Sequence, residues 1–247
     1  MPRPESISVG WTMQAIELLA FQPLSAPQVA AALDVHPRTA RRLLNRLQDD
    51  GYVSRTDDSR RLYAPTLRLV ALAGQIAARN RLVTLAPPFM SAVAERTGTR
   101  VQLSIPSYGS VLVVLDAEAG GRPRASGAEL VPAHCTAGGK ALLAWRQPWR
   151  DSVLSAPLRS FTRRTVTDAR SLRAEAEVIR QQGFATEHGE FRPHRRAAAA
   201  PVFLPDGEPM ATLSATTTDD DPELSELARS VVEQAAALTR RLEDRNG

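Results

Sequence analysis

The sequence predicts a two-domain protein combining α+β and α/β character. A mostly helical domain is expected over residues 1–64, a connecting helix over 65–81 and a mixed α/β domain over 82–247. Three observations lead there. The 247 residues, 43% apolar, can fill more than one ordinary core. A helical period dominates the first third, whereas short strand-like runs alternate with helical ones after residue 82. Charge divides at the same place: residues 1–81 hold eleven arginines and seven acids, while residues 82–247 hold 20 basic and 20 acidic side chains. The whole formal excess of +4 therefore lies in the first third, the electrostatic pattern of a nucleic-acid-binding domain joined to something else.

The elements follow in order. Met13, Ile16, Leu18, Leu19 and Ala20 give a first helix over 9–20, ended near Gln22 and Pro23. Ser25 and Gln28 have capping-box spacing, and Val29, Ala30 and Leu33 supply the apolar face of a second helix. After the turn Asp34-Val35-His36, Pro37 takes the first position of a third helix running to about residue 50. Its Ala40, Leu43, Leu44 and Leu47 lie at i, i+3, i+4 and i+7, leaving Arg38, Arg41, Arg42, Asn45 and Arg46 on the other face. Gly51 can end it, and residues 52–55 and 61–63 read as two strands with residues 56–60 at the tip between them. A capped helix, a tight turn, a basic helix and a basic hairpin make a winged helix-turn-helix. Arg38 and Thr39, near the start of the third helix, are expected at base edges of double-stranded DNA. Arg41, Arg42, Asn45 and Arg46 beside them, with Arg55, Arg60 and Arg61 on the wing, are expected at phosphates and flanking contacts. Asp57 and Asp58 would repel phosphate, so the wing acts through its arginines rather than its tip.

Pro65 opens the connecting helix, whose alanines and Gly74 allow another helix to approach closely; residues 67–77 are the candidate contact of a homodimer or tetramer. Beyond it come a helix at 85–97, strands at 101–105 and 111–116, a loop at 120–127 and a helix at 136–145. A helix at 171–182, strands at 184–187, 197–203 and 210–216, with a Pro205-Asp206-Gly207 turn, and a helix at 223–243 complete the chain. With Cys135 as the only cysteine, no intrachain disulfide or all-cysteine zinc cage can form. No leader-like pattern and no run of 18 apolar residues is seen, so a cytoplasmic protein that does not cross a membrane is expected.

These residues resemble the IclR (isocitrate lyase regulator) family of bacterial transcription factors. The likeness rests on His36 to Leu44, Gly51-Tyr52-Val53, the segment Leu130 to Ala144 with Thr136-Ala137-Gly138-Gly139-Lys140-Ala141 as its most specific piece, Thr165 to Asp168, Gln182 to Ala185 with Glu190, and Ala199 to Val202. The resemblance implies a GAF/PAS-like α/β domain behind the winged helix. It also implies a dimeric or tetrameric, ligand-responsive regulator that binds operator DNA and a small metabolite, a carboxylate or an aromatic acid. The pocket positions it implies are Ala137, Gly138, Glu187, Ala197, Ser214 and Thr216, with no cofactor and no metal. The physics is consistent: amides at a helix start attract an anion, and hydroxyls at i and i+2 share one face of a strand. Two positions depart from the family pattern. Ala197 replaces a cysteine or other polar residue, and His194 stands where relatives usually carry glycine.

The rival class is a hydrolase-like enzyme using Cys135 as nucleophile with His134 beside it. Neighbours on an extended segment point to opposite faces, which disfavours that pair. His36, His188 and His194 lack the i, i+4 spacing of a helical metal site, and Thr136 to Lys140 lacks the full phosphate-loop spacing. Lys140 is expected to run its stem along the helix and reach solvent.

Overall fold

The computed structural model describes residues 9–57, 61–127, 129–204, 207–218 and 223–244. The chain folds as two compact units, Met1–Arg79 and Asn80–Gly247.

The first unit begins with α1 (Val9–Phe21), β1 (Leu24–Ser25), α2 (Ala26–Ala32) and α3 (Pro37–Asp49). It ends with β2 (Val53–Asp57), β3 (Leu62–Pro65) and α4 (Leu67–Arg79). Gln28 closes the start of α2 by accepting from the Ser25 amide at 2.8 Å, as the capping spacing predicts. His36 caps α3, its Nδ1 accepting from the Arg38 amide at 3.2 Å, and Pro37 occupies the first turn, where a missing amide hydrogen costs nothing. Ala40, Leu43, Leu44 and Leu47 are buried against Ala15, Leu19, Val29, Val53 and Tyr63. On α1 the core side is Ala15 and Leu19; Met13 and Ala20, assigned by periodicity to the same stripe, face outward. The hairpin β2–β3 gains a third strand that the sequence did not announce: β1 pairs with β3, Leu24 opposite Tyr63. The wing-tip residues Asp58, Ser59 and Arg60 lie outside the described residues.

The connecting helix α4 ends at Arg79, two residues before the expected boundary. Asn80 leaves the helical conformation after α4, and its Oδ1 accepts from the Val83 amide at 3.2 Å. An asparagine cap thereby starts α5 (Arg81–Thr97) four residues earlier than the apolar period suggested. No residue of α4 is buried: Leu67 is 81% exposed, Val70 66% and Ile76 68%.

The second unit continues with β4 (Arg100–Ser107), β5 (Ser110–Ala117), β6 (Arg124–Ala125), β7 (Leu130–Pro132), α6 (Ala137–Trp145) and α7 (Gln147–Ser155). Then come α8 (Ala169–Gln182), β8 (Ala185–His188), β9 (Arg196–Phe203), β10 (Pro209–Thr217) and α9 (Leu224–Glu243). One sheet runs β6-β5-β4-β10-β9-β8, with β7 also on β5, and every pair is antiparallel. On one face Leu103, Ala198, Leu213 and Ala215 pack with α5 and α9; on the other, Ala185, Ala197 and Ala199 pack with α6 and α8. Small alanines on that second face let α6 come down close to the sheet. Gly139 packs against the turn that leads into α6: a Cβ there would lie 2.1 Å from the Ala133 carbonyl oxygen. Gly139→Ala should therefore cost about 2 to 3 kcal/mol, read as a lower urea midpoint for the C-terminal unit, because backbone rather than a side chain must move. Helix α7 was missed, although Pro148 in its first turn and Trp149, Val153 and Leu154 after it carry the signal.

Candidate functional site

Two surfaces carry the polar chemistry, one in each unit. In the first, Arg38, Arg41, Arg42, Asn45 and Arg46 are exposed along one side of α3, and Thr39 is half-buried behind Arg38. Arg46 is engaged: its Nε lies 3.1 Å from Asp50 Oδ2 one turn on. The wing is tied to the helix through Tyr63, a residue not singled out from the sequence. Its buried hydroxyl donates to Asn45 Oδ1 at 3.4 Å and accepts from Arg55 Nη2 at 3.3 Å, and the Arg55 guanidinium sits 5.5 Å from the ring centroid. Asn45 and Arg55 thus also fix the wing against α3. Arg61 is exposed and Arg60 is outside the described residues. Arg68, likewise unannounced, covers the Tyr52 ring at 4.6 Å and donates to the Asp50 carbonyl at 2.6 Å, satisfying the end of α3.

In the second unit, strand register brings the expected pocket positions together. Glu187 lies opposite Ala197, Ala197 opposite Thr216, and Ser214 opposite Ala199. Ala137 joins Ala197 and Ala199 in one buried cluster, and Gly138 sits over Thr212, whose Oγ1 would be 3.0 Å from a Cβ on that glycine. All six positions therefore share the α6 side of the sheet. The site is closed: Ala137 and Ala197 are 1% exposed and Glu187 is fully buried.

Thr212 was missed. It continues the i, i+2 row of hydroxyls below Ser214 and Thr216, and its Oγ1 is buried with no hydrogen-bond partner among the described residues. Such a group costs free energy unless something pairs with it. Ser214 Oγ donates to the Gln102 carbonyl at 3.4 Å, and Thr216 Oγ1 accepts from Arg195 Nη2 at 3.5 Å, both long bonds. Glu187 is held by Arg195 Nε at 3.0 Å and by the Phe191 amide at 3.2 Å. Burial raises its carboxyl above the ordinary value, opposed by Arg195 and the Phe191 amide. Arg195 is thus the counterion of Glu187.

Lys140 does not reach solvent. It is 3% exposed, with Nζ 2.7 Å from Glu175 Oε1 and 2.7 Å from Glu190 Oε1. Glu175 reaches it from α8 and Glu190 from the loop after β8, and its stem has no open surface to follow. Burial acts to lower its ammonium, but the two carboxylates outweigh it and the net shift is upward.

Cys135 is not an activated nucleophile. It is fully buried, and burial first, then Glu187 and Glu190, pushes its thiol up to about 12. His134 Nε2 is 2.9 Å from the Arg159 carbonyl, so the imidazole is committed elsewhere. A thiol raised from 9.0 to about 12 stabilises the fold fully below 9.0 and loses that contribution as pH climbs towards 12; Cys135→Ala should flatten this part of the stability profile. At pH 8 the native protein should leave Ellman's reagent uncoloured, with one thiol appearing in denaturant.

Among the described residues no three His, Cys, Asp or Glu side chains group to hold a metal, and no helix is long and apolar enough to cross a membrane.

A basic helix-turn-helix and a sheet domain with a buried polar site, on one chain, define the class of ligand-responsive DNA-binding regulators. The family model for the C-terminal domain of bacterial transcriptional regulator IclR matches residues 74–242. The chain belongs to the IclR family. It is 29% identical over 222 residues to the uncharacterized HTH-type transcriptional regulator RhmR of Escherichia coli, covering 87% of this chain and 85% of that one. It is also 29% identical over 235 residues to the HTH-type transcriptional regulator BhcR of Paracoccus denitrificans, covering 92% and 84%. Among solved structures, an IclR transcriptional regulator from Alicyclobacillus acidocaldarius superposes with a TM-score of 0.83 at 25% identity, over 97% of this chain and all (100%) of the other. An IclR homologue from Microbacterium hydrocarbonoxydans, complexed with 4-hydroxybenzoate, shares the fold at TM-score 0.80 and 24% identity, over 96% and 99%. The protein is thus a transcriptional regulator with a C-terminal effector-binding domain, and not an enzyme.

Proposed function

We propose that this regulator binds operator DNA through α3 and the wing, and that a small organic anion, a carboxylate or an aromatic acid, enters at the start of α6 and changes that binding. The observation that carries the sensing half is the unpartnered Thr212 hydroxyl under Gly138, beside the first amides of α6, which have no partner within their own helix. A carboxylate there would accept from the Ala137 and Gly138 amides and from Thr212, with Ser214 and Thr216 turned to the same face. Glu187, tied to Arg195, does not repel it. Replacing Cys or another polar group by Ala197 leaves that wall apolar, which favours a ligand with a hydrocarbon or ring body over a small polyhydroxy acid.

For the DNA half, the exposed arginines of α3 and the wing supply phosphate neutralisation, so affinity for any duplex should fall steeply with salt. A palindromic site needs two symmetric copies, and the outward apolar residues of α4, with Val9, Met13 and Phe21 on α1, supply a surface for a homodimer or tetramer. Light scattering at micromolar concentration should therefore give at least twice the 26.8 kDa chain mass; about 27 kDa on and off DNA would sink the assembly.

The test is genomic-fragment retention by the intact protein at low salt, followed by competition with organic acids. Ser214→Ala should weaken the effector by about 1 to 3 kcal/mol and leave effector-free DNA affinity unchanged. Failure to retain any fragment, with or without the acids, counts against the reading.

A further inference from the structure

The polar floor of the α6 site extends from β10 onto β4. Leu103 packs with α5 and α9, so its neighbours Gln102 and Ser104 point to the other face, the α6 side. Register places Ser104 opposite Thr212 and Gln102 opposite Ser214. Gln102 and Ser104 are each 4% exposed, and neither side chain makes a hydrogen bond among the described residues. The orphan Thr212 hydroxyl lies next to them, so neighbouring buried polar groups on two strands all want a partner. Buried polar side chains in folded proteins are almost always paired, and a cluster that is not marks a place where something else completes the bonding.

The charges around Gln102 restrict what that can be. Asp116 lies opposite Gln102 on β5 and shares its face of the sheet. Its Oδ1 accepts from Arg100 Nε at 2.7 Å, and Arg100 also lies 3.6 Å from Glu118 and 3.6 Å from Glu129. Glu129 is in turn 3.9 Å from Arg192. Three carboxylates thus share two guanidiniums, and a further anionic group beside Gln102 would add to a local excess of negative charge. A carboxamide donates and accepts, so Gln102 suits an uncharged hydroxyl or carbonyl oxygen.

We propose that Gln102 reads a second, uncharged oxygen on the effector, so that the regulator responds to hydroxy- or oxo-substituted monocarboxylates rather than to plain acids or diacids. The inference rests on the carboxylate site at Gly138 and Thr212 proposed above. Ser104, directly opposite Thr212, adds a hydroxyl at the carboxylate end. Thr212 and Gln102 are diagonal neighbours across the strand pair, about 7 to 8 Å apart, a span that a short hydrocarbon chain or one benzene ring bridges between the two oxygen functions.

The experiment is isothermal titration of the full-length protein with two matched series: 5-hydroxypentanoate, pentanoate and adipate, then 4-hydroxybenzoate, benzoate and terephthalate. In at least one series the hydroxylated acid should bind at least about tenfold more tightly than both companions, because a site that pairs a ligand hydroxyl rejects the analogue lacking it. Gln102→Met keeps the volume and removes the amide. It should cut that preference to about twofold or less and leave the affinity for the unsubstituted acid unchanged. Without ligand the same variant should melt no lower than the parent, since an unpaired buried amide contributes nothing to the fold. A lower melting temperature would place Gln102 in the fold's own bonding, ordered water included, and overturns the proposal. So does a preference that survives in Gln102→Met, a diacid that binds as tightly as the hydroxylated acid in both series, or equal affinity across each series. Equal affinities that Ser214→Ala lowers together leave the carboxylate site standing, whereas binding of none of the six acids counts against both.

Discussion

Changing Arg38, Arg41 and Arg42 together to alanine is expected to abolish specific operator binding while leaving the fold intact. All three are exposed on α3, away from the Ala40, Leu43, Leu44 and Leu47 face, so their removal opens no cavity. A base-reading arginine contributes about 1 to 3 kcal/mol of discrimination, and a phosphate contact contributes affinity that does not depend on sequence. Three losses at separate positions add to a fall of at least about a hundredfold. The single changes should divide by role. Arg38→Ala, at the first turn of α3, should act mainly on the operator, whereas Arg42→Ala should weaken operator and random duplex alike and reduce the salt slope by about one. Anisotropy titrations at several salt concentrations separate the two. Asn45→Ala has a different expectation: because Asn45 accepts from Tyr63, its loss should also loosen the wing, visible as a lower melting temperature for the N-terminal unit.

Lys140→Met should destabilise the C-terminal unit by about 3 to 5 kcal/mol, the loss expected when one member of a buried ion pair is removed and its partner is left behind. Glu190 is the stranded group: its side chain is 13% exposed, its Oε2 already has no partner, and burial already raises its carboxyl. Without Lys140 it must take up a proton or open the site to water. Adding Glu190→Gln should recover much of the loss. Glu175, at 33% exposure, can turn to solvent and matters less. The pH dependence has a defined sign. Lys140 titrates higher folded than unfolded, so its contribution is complete below 10.5 and is lost as pH rises through the folded value; the Lys140→Met protein lacks that alkaline loss. Urea midpoints of the parent and both variants at pH 7 and above 10.5 measure it.

Most of the fold could be read from the sequence because its signals are local. Pro37 after His36, the i, i+3, i+4, i+7 leucines of α3 and the small-residue start of α6 each fix an element without reference to the rest of the chain. What escaped depends on contacts distant in sequence. β1 exists because Leu24 meets Tyr63, and two residues carry no strand period. The helix start at Asn80 turned on a cap rather than on apolar spacing. Lys140 was misplaced because its two carboxylates lie 35 and 50 residues away, invisible to any window along the chain. The α6 site was legible as a set of positions only through the family resemblance. Its closure, the Arg195–Glu187 pair and the orphan Thr212 hydroxyl required the register of β8, β9 and β10.

The most direct test of ligand-controlled DNA binding is one titration of the intact protein onto its retained genomic fragment, with and without each of a panel of organic acids including 4-hydroxybenzoate. It is run in parallel on the Ser214→Ala/Thr216→Val protein. The expected result is that at least one acid shifts the parent's DNA affinity, is recovered chemically unchanged, and has no effect on the doubly substituted protein, whose own DNA affinity matches the parent's. An equal shift in both proteins, or an acid recovered as product, would contradict a sensor built on the α6 end of the sheet.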